Sequence, residues 1–171
     1  QAVVMSAAAA GAQPIIGIDP VASKRQLARD LGATHVGAPD DLADLLADAA
    51  PGGVDWAFEV VGSARVLEQA YGATGRGGAT VAVGLPHPEA TFTLPALGLI
   101  ADNKRILGSY MGTAQPQVDV PAMVRLWKAG RLPVDRLATG TIGFDGLNAA
   151  LDALADGSAV RQVLLPHGPT A

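Results

Sequence analysis

The strongest constraint on the fold of this chain is a regular alternation of short apolar runs with helix-like segments between Gln1 and Leu85. Ala2 to Ala10 predicts a helix of small side chains, and Gly11 stops it because glycine enters the left-handed region without a Cβ penalty. A strand follows over Pro14 to Asp19, then a helix over Ser23 to Leu31, with Ser23 as N-cap and Gly32 as the stop. Thr34 to Gly37 reads as a third-strand segment. Asp40 to Ala49 reads as a helix with Leu42, Leu45 and Leu46 on one face and Asp41, Asp44 and Asp48 on the other. Pro51-Gly52-Gly53 breaks that helix. Val54 to Val61 is almost continuously apolar, as suits a parallel strand covered on both faces. Gly62-Ser63 opens a helix over Ala64 to Ala73, and the turn Thr74 to Gly78 leads to a strand over Ala79 to Leu85. Strands and helices alternating through short connections imply an α/β fold with a doubly wound, mostly parallel sheet.

The pattern changes after Leu85. Ala90 to Leu94 alternates weakly and predicts a short edge strand; Pro95 to Ala101 predicts a helix and Arg105 to Met111 a strand. Val118 to Gly130 is amphipathic, with Met123, Val124 and Trp127 expected inward. Thr139 to Phe144 and Val160 to Leu165 predict strands around a helix over Gly146 to Ala155. The tail His167 to Ala171 is expected to fray. Trp56 and Trp127 read as packing residues, and Arg76 as a solvated turn residue.

A chain of 171 residues, 49% of them hydrophobic, suffices for one ordinary domain with a substantial core. Charged residues make up 16% and the net charge is -4, which offers no electrostatic attraction to nucleic acid or an anionic membrane. No apolar stretch approaches the roughly 20 residues of a membrane span, and the Ala-rich opening has no basic flank like that of a signal peptide. With no cysteine, thiolate chemistry and disulfides are ruled out, consistent with a cytoplasmic setting. His35, His87 and His167 have no ligand spacing among them, so no metal is assigned to this chain.

Asp19 is the residue with the most chemical meaning. An acid closing the second strand of a dinucleotide-binding βαβ unit accepts hydrogen bonds from the adenosine ribose hydroxyls. The alternative is a solvated acid at a strand end. In such a unit a strand and a G-x-G-x-x-G turn precede the first helix, and here the chain begins inside that helix. The sheet is therefore expected to lack its first strand and glycine-rich loop. Val60-Val61-Gly62 closes the Val54 strand at the carboxyl edge, where ligands bind in such sheets. Gly62 would allow close backbone approach there, or serve only the turn.

Taken in order, Ala10-Gly11-Ala12, Ile16-Gly17-Ile18-Asp19, Leu31-Gly32-Ala33-Thr34, Gly53-Val54-Asp55, Phe58-Glu59-Val60-Val61-Gly62, Gly77-Gly78, Val83-Gly84, Arg105-Ile106-Leu107-Gly108-Ser109 and Ser158-Ala159-Val160-Arg161 resemble the zinc-dependent medium-chain alcohol dehydrogenase family. The resemblance runs through essentially the whole chain. It implies a truncated dinucleotide-binding domain over residues 1–111 and, over 112–171, a segment that in the family completes the catalytic domain. Zinc is expected only in an N-terminal half.

The resemblance also implies roles. Asp19 would favour NAD over NADP by repelling a 2′-phosphate, and Lys24 would touch the same ribose. Val60, Val61 and Gly62 would lie along the adenosine and ribose. Val83, Gly84 and Leu85, with Ser109 and Met111, would hold the nicotinamide carboxamide through the backbone. Arg161 would fork onto the pyrophosphate. The Val60 to Gly62 turn, Lys24 and Arg161 are expected to neighbour Asp19. The implied function is the NAD-binding part of an enzyme passing a hydride between an alcohol and NAD, with this chain inactive alone. Its partners would be NAD and, in the parent enzyme, a small alcohol, aldehyde or ketone, with no nucleic acid and no membrane. Thr91-Phe92-Thr93 would pair across a two-fold axis into a homodimer or higher assembly. The rivals are a zinc-independent quinone or enoyl reductase, and a non-catalytic nucleotide-binding or interaction module.

Overall fold

The computed structural model describes residues 1–168, which form two compact units. The first comprises residues 1–42 and 120 onward; the second comprises Ala43–Asp119.

In the first unit, α1 (Ala2–Ala9) leads to β1 (Ile16–Ile18), α2 (Ala22–Asp30) and β2 (His35–Gly37), and β1 and β2 pair in parallel with Ile16 opposite His35. Gly11 and Gly32 take φ of +78° and +110° after the two helices, so both expected glycine stops are present. The small face of α1 explains its close seat. Ala7 and Ala8 pack on a cluster of Ile15, Ala28 and Ala33, and a Cβ on Gly32 would come within 2.5 Å of the Ala8 Cβ. A second cluster joins Met5, Leu31 and Leu132, flanked by Leu27, Leu126 and Leu137. Each of these large buried side chains contributes about 1.5–3 kcal/mol relative to exposure.

Leu126 lies on α6 (Pro116–Lys128), whose inward residues are Ala122 and Leu126. The expected inward set of Met123, Val124 and Trp127 is corrected: they are 51%, 40% and 44% exposed, and the Trp127 indole donates to Asp135 Oδ1. The apolar stripe around α6 is wider than the face it buries here, and periodicity alone does not tell its two halves apart. Two arginines fasten this later segment by taking carbonyls at helix ends, Arg131 on Ala9 and Arg136 on Asp30. Beyond them, β6 (Gly140–Ile142) and β7 (Gln162–Leu164) pair in parallel with each other around α7 (Leu147–Ala155).

The second unit holds the remaining three strands. Starting at the boundary, α3 (Leu42–Ala49) precedes β3 (Val54–Glu59), α4 (Ala64–Ala73), β4 (Thr74–Ala82), α5 (Ala96–Ala101) and β5 (Arg105–Gly108), with sheet order β3-β4-β5, all parallel. The fold is thus α/β with parallel sheets. Thr74 to Gly78, expected as a turn, belongs to β4. Val54 pairs with Thr74 and Trp56 with Ala79, so the extra residues bulge out of register while remaining extended. The helix α4 covers one sheet face, where Ala57 and Glu59 are buried. On the other face Trp56 and Phe58 are 50% and 43% exposed, so in this chain β3 is covered on one side only and Trp56 is no interior packing residue. The Trp56 ring instead stacks on Phe58 and carries the Arg105 guanidinium.

No strand forms over Ala90 to Leu94. That stretch is held by Thr93 N–H donating to Glu68 Oε1, a side-chain contact that alternation cannot foretell. Arg76 is exposed as expected and faces Asp102 at 3.5 Å. No helix among the described residues is long and apolar enough to cross a membrane.

Candidate functional site

Asp19 follows β1 directly, at the carboxyl edge of the β1-β2 sheet, where its amide donates to Gly37 O. Its Oδ1 accepts from Val21 N–H at 2.9 Å. That bond, rather than Ser23, orders the entry to α2: Val21 is the N-cap residue and Ser23 lies inside the helix, a correction to the expected cap. Arg25 Nη1 closes the same turn by donating to the carbonyls of Asp19 and Pro20, at 2.7 and 2.8 Å.

Asp19, Lys24 and Arg161 line one cavity of about 250 Å³ with Gln1, Ala2, Leu137 and Val160. The structure therefore brings together the three charged residues expected to be neighbours. Arg161 is exposed and its backbone is clamped by Thr139, a residue that sequence reasoning did not single out. Thr139 gives its amide and its hydroxyl to Arg161 O at 2.7 and 2.8 Å, and its Oγ1 also lies 3.3 Å from the amides of Val160 and Arg161. Lys24 runs against the loop after α7, with Nζ 3.2 Å from where a Cβ on Gly157 would stand. There Asp156 Oδ1 accepts from Ser158 N–H at 2.8 Å, and hydrogen bonds from Ser158, side chain first and amide second, hold the Asp156 carboxyl below its ordinary pKa.

The second unit presents the other expected residues at the carboxyl ends of β3, β4 and β5. Val60 and Val61 are 49% and 71% exposed, and Leu85 and Met111 are 74% and 79% exposed. The strand ends are tied edge to edge: Glu59 O accepts from Val83 N–H at 2.8 Å and Gly84 N–H at 3.1 Å, and Ala82 O accepts from Ser109 N–H at 2.9 Å. Met111, Gly112 and Thr113 take φ of 50°, 70° and 51°, three successive left-handed residues. For the two non-glycine residues this costs roughly 1–2 kcal/mol each.

The glycines here serve the protein's own packing. A Cβ on Gly62 would meet Leu85 O at 2.3 Å, and one on Gly84 would meet Gly62 N at 2.1 Å. The turns after β3 and β4 thus lie backbone against backbone, and φ of +83° at Gly62 adds a second reason for glycine there.

Glu59, inside the Phe58–Gly62 run, is the residue of the candidate site that the sequence does not single out. It is 2% exposed, and its single Oε1 accepts from the amides of Val61, Gly62 and Ser63 at 2.6, 2.8 and 3.3 Å. The available signal is an acid two positions after Ala57 at the end of β3, but Asp55, two positions before Ala57, is exposed, so alternation alone does not single out Glu59.

For a metal the residues do not fit: the chain has no cysteine, and no group of three or more histidine, aspartate or glutamate side chains gathers among the described residues.

Asp19 at the carboxyl end of β1 thus shares one cavity with Lys24 of α2 and with Arg161, remote in sequence, and the carboxyl ends of strands are where parallel α/β sheets take their ligands. The zinc-binding dehydrogenase family model matches residues 1–129, and the chain belongs to that family. It is 36% identical over 167 residues to an NDMA-dependent alcohol dehydrogenase of Amycolatopsis methanolica, covering 95% of this chain and 45% of that protein. The solved benzyl alcohol dehydrogenase of Acinetobacter calcoaceticus aligns with a TM-score of 0.88 at 33% identity, over 94% of this chain and 45% of that one. A solved chain from Sinorhizobium meliloti 1021, bound to NADP, aligns at 0.79 with 27% identity, over 95% of this chain and 48% of that one. The chain thus spans about 45% of the length of the first relatives it matches.

Proposed function

We propose that this chain is the NAD-binding part of an alcohol dehydrogenase, its residues 1–111 forming the dinucleotide-binding portion and 112–171 completing a catalytic domain. The observation that carries the reading is the shared cavity of Asp19, Lys24 and Arg161. The donor chemistry fits a dinucleotide. With Oδ1 engaged by Val21, Asp19 offers Oδ2 to ribose hydroxyls. Lys24 supplies a cation beside that ribose, and the Arg161 guanidinium suits a pyrophosphate. In the second unit the turns Val60–Gly62, Val83–Leu85 and Ser109–Met111 are assigned the remaining cofactor contacts, made through carbonyls and through amides other than those of Val61, Gly62, Val83, Gly84 and Ser109, which the protein's own acceptors take. When bound, NAD supplies the hydride acceptor.

Asp19 favours NAD, because a 2′-phosphate beside a carboxylate is repelled. Substrates are small alcohols and their aldehyde or ketone products. The chain by itself shows negligible turnover, since polarising the alcohol oxygen calls for a group these residues do not assemble. Thr91–Thr93 is the segment for pairing two copies, and the setting is cytoplasmic.

Titration of the isotope-labelled chain with NAD, followed by NMR, tests the binding role. Shifts at Asp19, Lys24 and Arg161 support it, and an unmoved spectrum overturns it. Alcohol-dependent NADH production by the purified chain alone would overturn the claim of inactivity.

A further inference from the structure

We infer that Glu59 is the positioning residue of the cofactor turn: its buried carboxylate occupies the ring of amides at the start of α4 and so holds Val60–Gly62 in binding geometry. The inference rests on the NAD reading above.

Three N–H groups converging on one oxygen form an anion nest, the kind of site that a ligand phosphate takes at a helix N-terminus. Here the protein fills the nest itself. Glu59 Oε1 accepts from Val61, Gly62 and Ser63, while Ser63 caps α4 by accepting from Val66 N–H. The helix start is therefore closed to a phosphate, and the turn ahead of it is fixed from below. The same residue's carbonyl takes Val83 and Gly84, so side chain and backbone of Glu59 tie down both turns assigned to the cofactor. The close approach of Gly62 and Gly84 then follows from one anchor. Val60 and Val61 stand exposed on this turn, so any drift of the nest moves the surface a cofactor would meet.

The test uses the full chain and the variants Glu59→Gln and Glu59→Ala. Amide hydrogen exchange at Val61, Gly62 and Ser63 reports the turn, and NMR titration with NAD reports binding. Glu59→Gln keeps an acceptor oxygen but loses the charge. It is expected to speed exchange at these three amides and to weaken NAD about tenfold, as for hydrogen bonds to a charged group made neutral. Glu59→Ala should weaken it further, and sodium formate, a carboxylate small enough for the vacated nest, should restore part of both readouts. Sodium chloride at equal ionic strength should not. If Glu59→Ala does not fold, Glu59→Gln with exchange intact in β4 and β5, strands of the same unit, carries the result. Wild-type NAD affinity in both folded variants overturns the inference while leaving the NAD reading standing. Absence of NAD binding by the wild-type chain overturns the NAD reading, and the positioning role with it.

Discussion

Replacing Gly84 by alanine should be among the most damaging single-methyl additions available in this chain. The new Cβ would stand 2.1 Å from Gly62 N, 2.7 Å from its Cα and 2.8 Å from Val61 C, all backbone atoms that no rotamer change can move. Restoring an ordinary contact of 3.4 Å means parting the two turns by more than 1 Å. That motion pulls Gly84 N–H from Glu59 O, and Val61 and Gly62 N–H from Glu59 Oε1. A neutral hydrogen bond contributes about 1 kcal/mol and one to a charged group about 1.5–3 kcal/mol, so loss of all three would cost about 4–7 kcal/mol. Partial relaxation brings the expected value to about 2–4 kcal/mol. The assay is urea unfolding followed by Trp56 fluorescence in a Trp127→Phe background, which reports the second unit. With a slope of about 1–2 kcal/mol per M, the midpoint should fall by about 1–4 M. Gly72→Ala is the control, because it lies in α4 with nothing within 4 Å of the added carbon. It should gain about 0.5–1 kcal/mol. A Gly84→Ala midpoint equal to that of wild type would refute the reasoning.

Thr74 Oγ1 and Thr80 Oγ1 lie 2.7 Å apart with both residues buried, and Thr74 also donates to Ala70 O. Thr80→Val should cost about 1 kcal/mol, while Thr74→Val strands the Thr80 hydroxyl and should cost about 1–3 kcal/mol, both read by chemical unfolding. The Asp156 carboxyl is held below its ordinary value by Ser158, so its contribution is complete above the unfolded-state pKa and is lost as pH falls through the lower folded-state value. Carboxyl-carbon NMR should show that depressed titration, and Ser158→Ala should raise it. Asp19→Asn keeps an acceptor for Val21 N–H, so stability should change by under about 1 kcal/mol while preference for NAD over NADP falls, measured by paired titrations.

Much of the fold was legible because glycine and apolar periodicity mark element ends and faces locally. Gly11 and Gly32 stop their helices with positive φ, and Ala64–Ala73 is helical over the expected span. What periodicity could not decide was which side of a wide apolar stripe meets a neighbour. Leu126 is drawn inward on α6 by Met5, Leu31 and Leu132, and Trp127 is left outside. The stretch around Thr93 depends on a carboxylate 25 positions away, a contact with no local signature.

The candidate site divides in the same way. Asp19, Lys24 and Arg161 were readable as charges at motif positions, and one cavity gathers them. Glu59 and Thr139 were not, because their work is done on backbone amides and carbonyls rather than on a ligand. Gly62 and Gly84 were readable as glycines, but their mutual backbone approach, which by itself requires a glycine at each, has no local signature.

The most direct measurement of the central claim is a pair of NMR titrations of this chain, one with NAD and one with NADP, read at the amides of Asp19, Val21, Lys24 and Arg161. The account predicts saturable shifts at these amides with NAD, and with NADP an affinity at least about tenfold lower, the effect of roughly 1.4 kcal/mol of charge repulsion at Asp19. Shifts absent from these residues, or equal affinity for the two cofactors, would contradict it.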